Sequence, residues 1–207
     1  RAILLSVICI CASVFFEWAW NVLMKKRQTA TDLSAALTGL LIAYNVPSGL
    51  PIWIAVLGCF VAVIVIKQLF GGIGRNLVNP AITARIVLFI SFATEMTTWP
   101  IPNMTVDATS SATPLGILAE EGTAALPDNM TMFLGFIGGS MGEVSAIALL
   151  VGGLFLIWKK IISPIIPLCF IGTVFLFAFV YYIPSGFQDG LQMAIFHVLA
   201  GGVMLGA

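Results

Sequence analysis

Apolar residues run along this chain in long unbroken blocks, at 2–16, 52–66, 147–158 and 165–183, and most polar residues collect at the joints between them. Roughly 20 predominantly apolar residues in a helix cross the hydrocarbon of a bilayer, and several blocks approach that length. β-Branched residues are common in them, yet the strands of a membrane barrel alternate in polarity every second residue, and no block does. Continuous apolar backbone in lipid must satisfy its own hydrogen bonds, which leaves the helix. The pattern predicts an all-α, polytopic membrane helix bundle. Segments 38–46 and 76–89 are short or punctuated by Gly, Asn and Pro, and fit broken helices whose amide ends face a polar interior.

Composition agrees with the pattern: of 207 residues, 60% are hydrophobic and 9% charged, against about 25% charged in a soluble domain. Membrane lipid is the expected surroundings, and no nucleic-acid partner is expected. Arg1 enters an apolar segment without an initiator Met, and Ala207 ends in one. The sequence therefore reads as one transmembrane domain, 1–207, truncated at both ends.

Charge sets the expected topology. Apart from Arg1, the basic residues are Lys25, Lys26 and Arg27, then Lys67, Arg75 and Arg85, then Lys159 and Lys160, while 45–51, 99–130 and 184–190 contain neither Lys nor Arg. Basic loops stay cytoplasmic, so a helix ends inside near Trp20 and the chain returns outward over 32–46. Passes then follow at 51–70 inward, 83–98 outward, 131–158 inward, 165–183 outward and from 191 inward. The polar loop 99–130 lies outside, with Asp107, Glu120, Glu121 and Asp128.

Asp32-Leu33-Ser34-Ala35 recurs as Glu143-Val144-Ser145-Ala146, each opening an apolar segment, followed by a turn, a long apolar helix and a Gly-rich stretch. The charge parity sends the two copies across in opposite directions, as an inverted repeat does, and such repeats put their sites at interrupted helices. Asp32, Glu95 and Glu143 lie in or at the ends of membrane segments, where an ionised group is costly and points to an ion path, a pair or a ligand. Asp32 and Glu143 are the ion-path candidates; the alternatives are an interfacial cap for Asp32, a cap of its own broken helix for Glu143 and a place at the outer surface for Glu95. Arg75 and Asn76, after Gly71, Gly72 and Gly74, suit an anion or the polar edge of a ring, and equally a tight hydrogen-bonded turn. Cys9, Cys11, Cys59 and Cys169 read as small buried hydrophobes, the alternative being an iron–sulfur ligand shared with a partner. His197, alone in an apolar helix, reads as a satisfied buried histidine.

Within the long loop, Asp107-Ala108-Thr109-Ser110-Ser111-Ala112-Thr113 precedes Pro114. A threonine hydroxyl with small neighbours is open to an enzyme that joins a flavin phosphate to it through a phosphoester, and Asp107 is placed to orient the incoming group. The pattern Asp-x-x-Ser-Ser-Ala-Thr resembles a flavinylation motif whose last threonine carries FMN. Residues 32–41, Lys67-Gln68-Leu69-Phe70-Gly71-Gly72-Ile73-Gly74-Arg75-Asn76, Asn79-Pro80-Ala81 and Met96-Thr97-Thr98-Trp99 together resemble RnfD, a membrane component of the Rnf electron-transport complex, related to NqrB of the sodium-pumping NADH:quinone reductase. The resemblance spans essentially the whole chain.

It implies a multi-pass inner-membrane subunit, akin in fold to urea-channel proteins, of a complex coupling ferredoxin:NAD⁺ electron transfer to Na⁺ or H⁺ translocation. It also implies FMN on Thr113 in the extracytoplasmic loop 99–130, with Asp107, Ser110, Ser111 and Ala112 as its motif. A flavin transferase during maturation and Rnf subunits A, B, C, E and G are the implied partners. The family admits a second, non-covalent flavin such as riboflavin, with no residue assigned to it. No Gly-x-Gly-x-x-Gly or Cys-x-x-Cys pattern is present, so NAD⁺ and ferredoxin are expected to bind other subunits. The alternative reading is a passive solute channel or secondary transporter without flavin.

Overall fold

A computed structural model describes residues 1–100, 110–121, 126–200 and 203. Ten α-helices occur among them, and the chain divides into two compact units, Arg1–Trp99 and Pro100–Ala207. Predominantly helical structure with apolar spans is what a membrane protein requires. Two helices are long and apolar enough to cross a bilayer, Ala2–Leu23 and the run Ile165–Ser185.

The first unit is built on α1 (Ala2–Leu23), whose buried residues are Leu5, Cys9, Ser13, Glu17 and Asn21. Their spacing of four puts them on one ridge of the helix, while Ile3, Leu4, Val7, Phe15 and Trp18 face outward. Its small residues let α2 (Ser34–Tyr44) approach closely. A Cβ on Gly39 of α2 would overlap the Cys9 carbonyl and lie 2.7 Å from Ser13 Oγ, the close backbone approach that small residues permit in membranes. α3 (Ile52–Phe60) continues as a π-helical stretch over Val61–Gln68. Asn79 caps α4 (Pro80–Ser91) by accepting from the amides of Ala81 and Ile82, with Pro80 in the first turn, where its missing N–H costs nothing.

The expected pass at 83–98 is interrupted. Phe92, at φ −135 and ψ 56, leaves helical geometry between α4 and the short α5 (Ala93–Thr97). The unit ends at Trp99, the first residue of the two-residue strand β1 (Trp99–Pro100).

In the second unit, β2 (Ser110–Ser111) leads into α6 (Pro114–Glu121). The pass expected at 131–158 is two helices, α7 (Asn129–Leu134) and α8 (Ala146–Trp158). Gly135, at φ +100, ends α7 in the left-handed conformation that suits glycine, and Ser145 restarts the chain as the cap of α8. α9 (Ile165–Tyr182) runs through a 3₁₀ turn at Ile183–Ser185 into α10 (Phe187–Leu199). A core of Met132, Ile137, Met193, Phe196 and Ala200 joins α7 to α10, with Leu118 of α6 and Tyr182 of α9 packed on it.

The helices that follow the two similar sequence segments are α2, the α3–π helix and α4 in the first unit, and α8, α9 and α10 in the second.

Candidate functional site

The polar end of the α1 ridge gathers a charged cluster that the chain does not expose. Glu17 is 1% and Lys67 2% exposed, and Lys67 Nζ lies 3.0 Å from Glu17 Oε1. Lys67 Nζ also donates to Ser34 Oγ at 2.6 Å, while Gln68 Nε2 and Thr29 Oγ1 donate to Glu17 Oε1 at 2.8 and 2.9 Å. Asn21 Nδ2 in turn donates to Thr29 Oγ1 at 3.0 Å. The π-helical winding helps to position this set, because its wider turn brings consecutive side chains closer in angle. Lys67 and Gln68 both reach one carboxylate. A cavity of about 270 Å³ opens beside them, lined by Glu17, Asn21, Lys26, Arg27, Thr29, Asp32, Gln68, Gly71, Gly72 and Ile73.

Asp32 sits on the exposed rim of this cavity and caps the approach to α2, accepting from the Ser34 amide at 2.9 Å and the Ser34 hydroxyl at 2.6 Å. Partial burial pushes its carboxyl upward, but the two Ser34 bonds and the Lys67 charge outweigh that and hold it below its ordinary value. Arg75 is exposed, and Asn76 has its side-chain oxygen buried without a hydrogen-bond partner. Gly71, Gly72 and Gly74 all have positive φ, which makes this a turn that glycine suits.

The cysteines divide. Cys9 and Cys59 are buried, with Cys59 Sγ donating to the Cys9 carbonyl at 3.6 Å, whereas Cys11 and Cys169 lie on exposed faces. Being apolar in sequence context does not fix which way a helical residue faces.

Thr113 in the second unit is half-buried immediately before α6, and its Oγ1 accepts from the Gly116 amide at 3.2 Å. A Cβ on residue 116 would stand 3.2 Å from that oxygen and 3.4 Å from the Ala112 Cβ. Glycine therefore leaves room around the hydroxyl, although it costs roughly 0.5–1 kcal/mol of helix stability relative to alanine. The surroundings fit a phosphoester: the acceptor oxygen stands at the N-terminus of a helix, where the helix dipole favours a phosphate. Asp107 lies outside the described residues, as do the side chains of Ser110 and Ser111; Ala112 is exposed.

Glu143 is 8% exposed and accepts from the Ser140 amide at 2.9 Å. His197 Nδ1 lies 2.8 Å from the Met193 carbonyl, and its ring is 5.6 Å from Tyr182. Near the ends of α7, α9 and α10 lies a cavity of about 580 Å³, lined by Leu126, Pro127, Asp128, Asn129, Tyr182, Ser185, Asp189, Gln192, Met193 and Phe196. Asp128 caps α7 through the Met130 amide, and Asp189 lies in the first turn of α10.

Comparison with known sequences identifies the scaffold. The sequence model of the NQR2, RnfD, RnfE family matches residues 1–207. The chain belongs to that family. Among curated members of the NQR2, RnfD, RnfE family, it is 41% identical to the D subunit of the Na(+)-translocating ferredoxin:NAD(+) oxidoreductase complex of Acetobacterium woodii, over 100% of the chain and 62% of that protein. It is 39% identical to the D subunit of the proton-translocating ferredoxin:NAD(+) oxidoreductase complex of Clostridium ljungdahlii, over 96% of the chain and 62% of that protein. The D subunit of the ion-translocating oxidoreductase complex of Rhodobacter capsulatus is 35% identical, over 99% of the chain and 65% of its length. The chain thus spans less than two thirds of the length of these NQR2, RnfD, RnfE relatives. The first two carry names that differ in the ion, and the identities to them are nearly equal.

Sequence reasoning missed Glu17. An acid inside an otherwise apolar helix was the available signal, and Lys67 in another apolar block was its counterpart. Lys67 served only as a marker of topology, and its pairing became evident once α1 and the π-helical stretch were seen to meet.

Proposed function

We propose that this chain is the membrane subunit of an ion-translocating ferredoxin:NAD⁺ oxidoreductase that carries FMN in phosphoester linkage to Thr113. The observation that carries the reading is the Thr113 hydroxyl at the start of α6, with the Gly116 amide 3.2 Å away and no side chain at 116 to crowd it. Family membership over 1–207 and the named activities of the relatives support the same reading. The subunit lies in the cytoplasmic membrane with loop 99–130 outside, beside Rnf subunits A, B, C, E and G, and its units form a urea-channel-like inverted repeat. Riboflavin remains a candidate second flavin.

When bound, FMN supplies reversible one-electron chemistry at its ring. Thr113 holds the cofactor covalently and so keeps it from the external medium, while α6 places the phosphate in a favourable field. Asp107, Ser110, Ser111 and Ala112 serve recognition by the flavin transferase, which needs an extended acceptor segment. Arg75 and Asn76 are assigned to the cytoplasmic side, where Arg75 presents an unpaired charge among the described residues.

Ion passage belongs to the acids in or at the ends of the membrane segments. Asp32 and Glu143 are joined as candidates by Glu17, whose pairing with Lys67 neutralises a charge that lipid surroundings make costly. Moving one charge through 100 mV takes about 2.3 kcal/mol, within reach of a favourable electron transfer. Neutralising an acid on the path uncouples ion flux from electron flow, and unchanged coupling removes that acid from the path.

Thr113→Val tests the main reading. In the assembled complex it abolishes the fluorescent band that this subunit gives on a denaturing gel; a band that persists shows that Thr113 is not the acceptor. A flavin-free channel, with the same broken helices, gives no band in the parent protein either.

A further inference from the structure

We infer that the 580 Å³ cavity of the second unit is the bay that holds the ring of the flavin tethered to Thr113, with Tyr182 against its face and Asn129 and Gln192 at its polar edge. This rests on the Thr113 reading and assigns a place to the part of the cofactor that the phosphoester leaves free.

Three observations lead to the bay. The first is position. α6 begins beside Thr113, and Leu118, about 7.5 Å further along at 1.5 Å per residue, packs on the core that contains Met193 and Phe196. Tyr182 packs on the same core, and all three of these residues also line the cavity. The helix that begins at the tether point and the cavity therefore share one small core.

The second is chemistry. An isoalloxazine has an apolar dimethylbenzene end and a pyrimidine end with an N–H donor between carbonyl acceptors. The cavity has the same division: Met193 and Phe196 are buried apolar walls, and the carboxamides of Asn129 and Gln192, each with a donor and an acceptor, make no hydrogen bond among the described residues. Leu126, Pro127 and Tyr182 extend the apolar side of the cavity, and Asp128, Ser185 and Asp189 its polar side.

The third is charge. Asp189 is exposed on the first turn of α10 and forms no ion pair among the described residues. A carboxylate facing the ring disfavours added negative charge there, so Asp189 lowers the reduction potential of a flavin held in the bay.

The test uses the assembled, membrane-extracted complex, with the signal of this flavin obtained by difference against the Thr113→Val complex. Tyr182→Phe keeps the packing but removes the phenol, which quenches flavin emission on contact. Emission per covalent flavin is expected to rise several-fold. Asp189→Asn, at an exposed position that does not support the core, is expected to shift the midpoint potential upward. If both variants keep the covalent band but neither emission nor potential moves, the bay is wrong and the attachment at Thr113 stands. If the band survives Thr113→Val, the attachment is wrong and the bay falls with it.

Discussion

The two units place their polar clusters differently, one buried and one open to solvent. In the first, Glu17, Lys67, Gln68, Thr29 and Ser34 form a closed set in which both charged side chains are almost fully buried and each has several partners. In the second, Asn129, Gln192 and Asp189 line an open cavity without hydrogen bonds to one another, and the Thr113 hydroxyl stands half-buried at a helix start. The repeated acids differ likewise. Asp32 reaches forward to cap α2, whereas Glu143 reaches back to the Ser140 amide and leaves the capping of α8 to Ser145. A satisfied network stabilises one arrangement and resists intrusion; exposed polar groups around a cavity are available to a ligand. The difference separates a buried, paired charge cluster in the first unit from an open, polar-lined cavity in the second.

Several substitutions break or sharpen that contrast. Thr113→Val should remove all covalent flavin from the subunit, read by fluorescence on a denaturing gel, while costing the fold only about 1 kcal/mol through the lost helix cap. Thermal stability of the complex should scarcely move. Glu17→Leu should do the reverse, destabilising the complex by about 3–5 kcal/mol because Lys67 is left buried and unpaired, with covalent flavin still attached. Glu17→Leu combined with Lys67→Leu should recover most of that loss in a melting experiment.

Smaller effects follow at the glycines. Gly39→Ala drives a methyl group into the Cys9 carbonyl and Ser13, and should cost about 1–3 kcal/mol as overpacking. Gly116→Ala should slightly stabilise α6 yet reduce the covalent flavin per subunit, because the new methyl crowds Thr113 Oγ1. The smallest effect belongs to Asp32. Its carboxyl is held below the ordinary aspartate range near about 3.9, so the stability it contributes is fully present above that range and is lost as pH falls through the lowered value. Asp32→Asn should flatten that part of an acid-stability profile.

The membrane character and the helical class were legible because apolar blocks as long as 2–16 and 165–183 leave the backbone few other solutions. The start of α4 was legible at Asn79-Pro80, whose capping chemistry is local, whereas the break between α7 and α8 inside the expected 131–158 pass was not. Sites where distant segments converge were harder to read. Glu17 and Lys67 are 50 residues apart, and neither has a neighbour in sequence that announces the other. The facing of Cys11 and Cys169 depends on helix rotation, which a uniformly apolar block does not encode. Thr113 was legible as a motif, but its cap bond to Gly116 needed the start of α6 to be placed.

The central claim is that Thr113 carries the flavin, and mass mapping of the peptide spanning 96–127 from the assembled complex tests it most directly. The account predicts a peptide heavier by one FMN less water, with fragment ions placing the addition on Thr113. An unmodified peptide from fully active complex, or the addition on Thr109, Ser110 or Ser111, would contradict it.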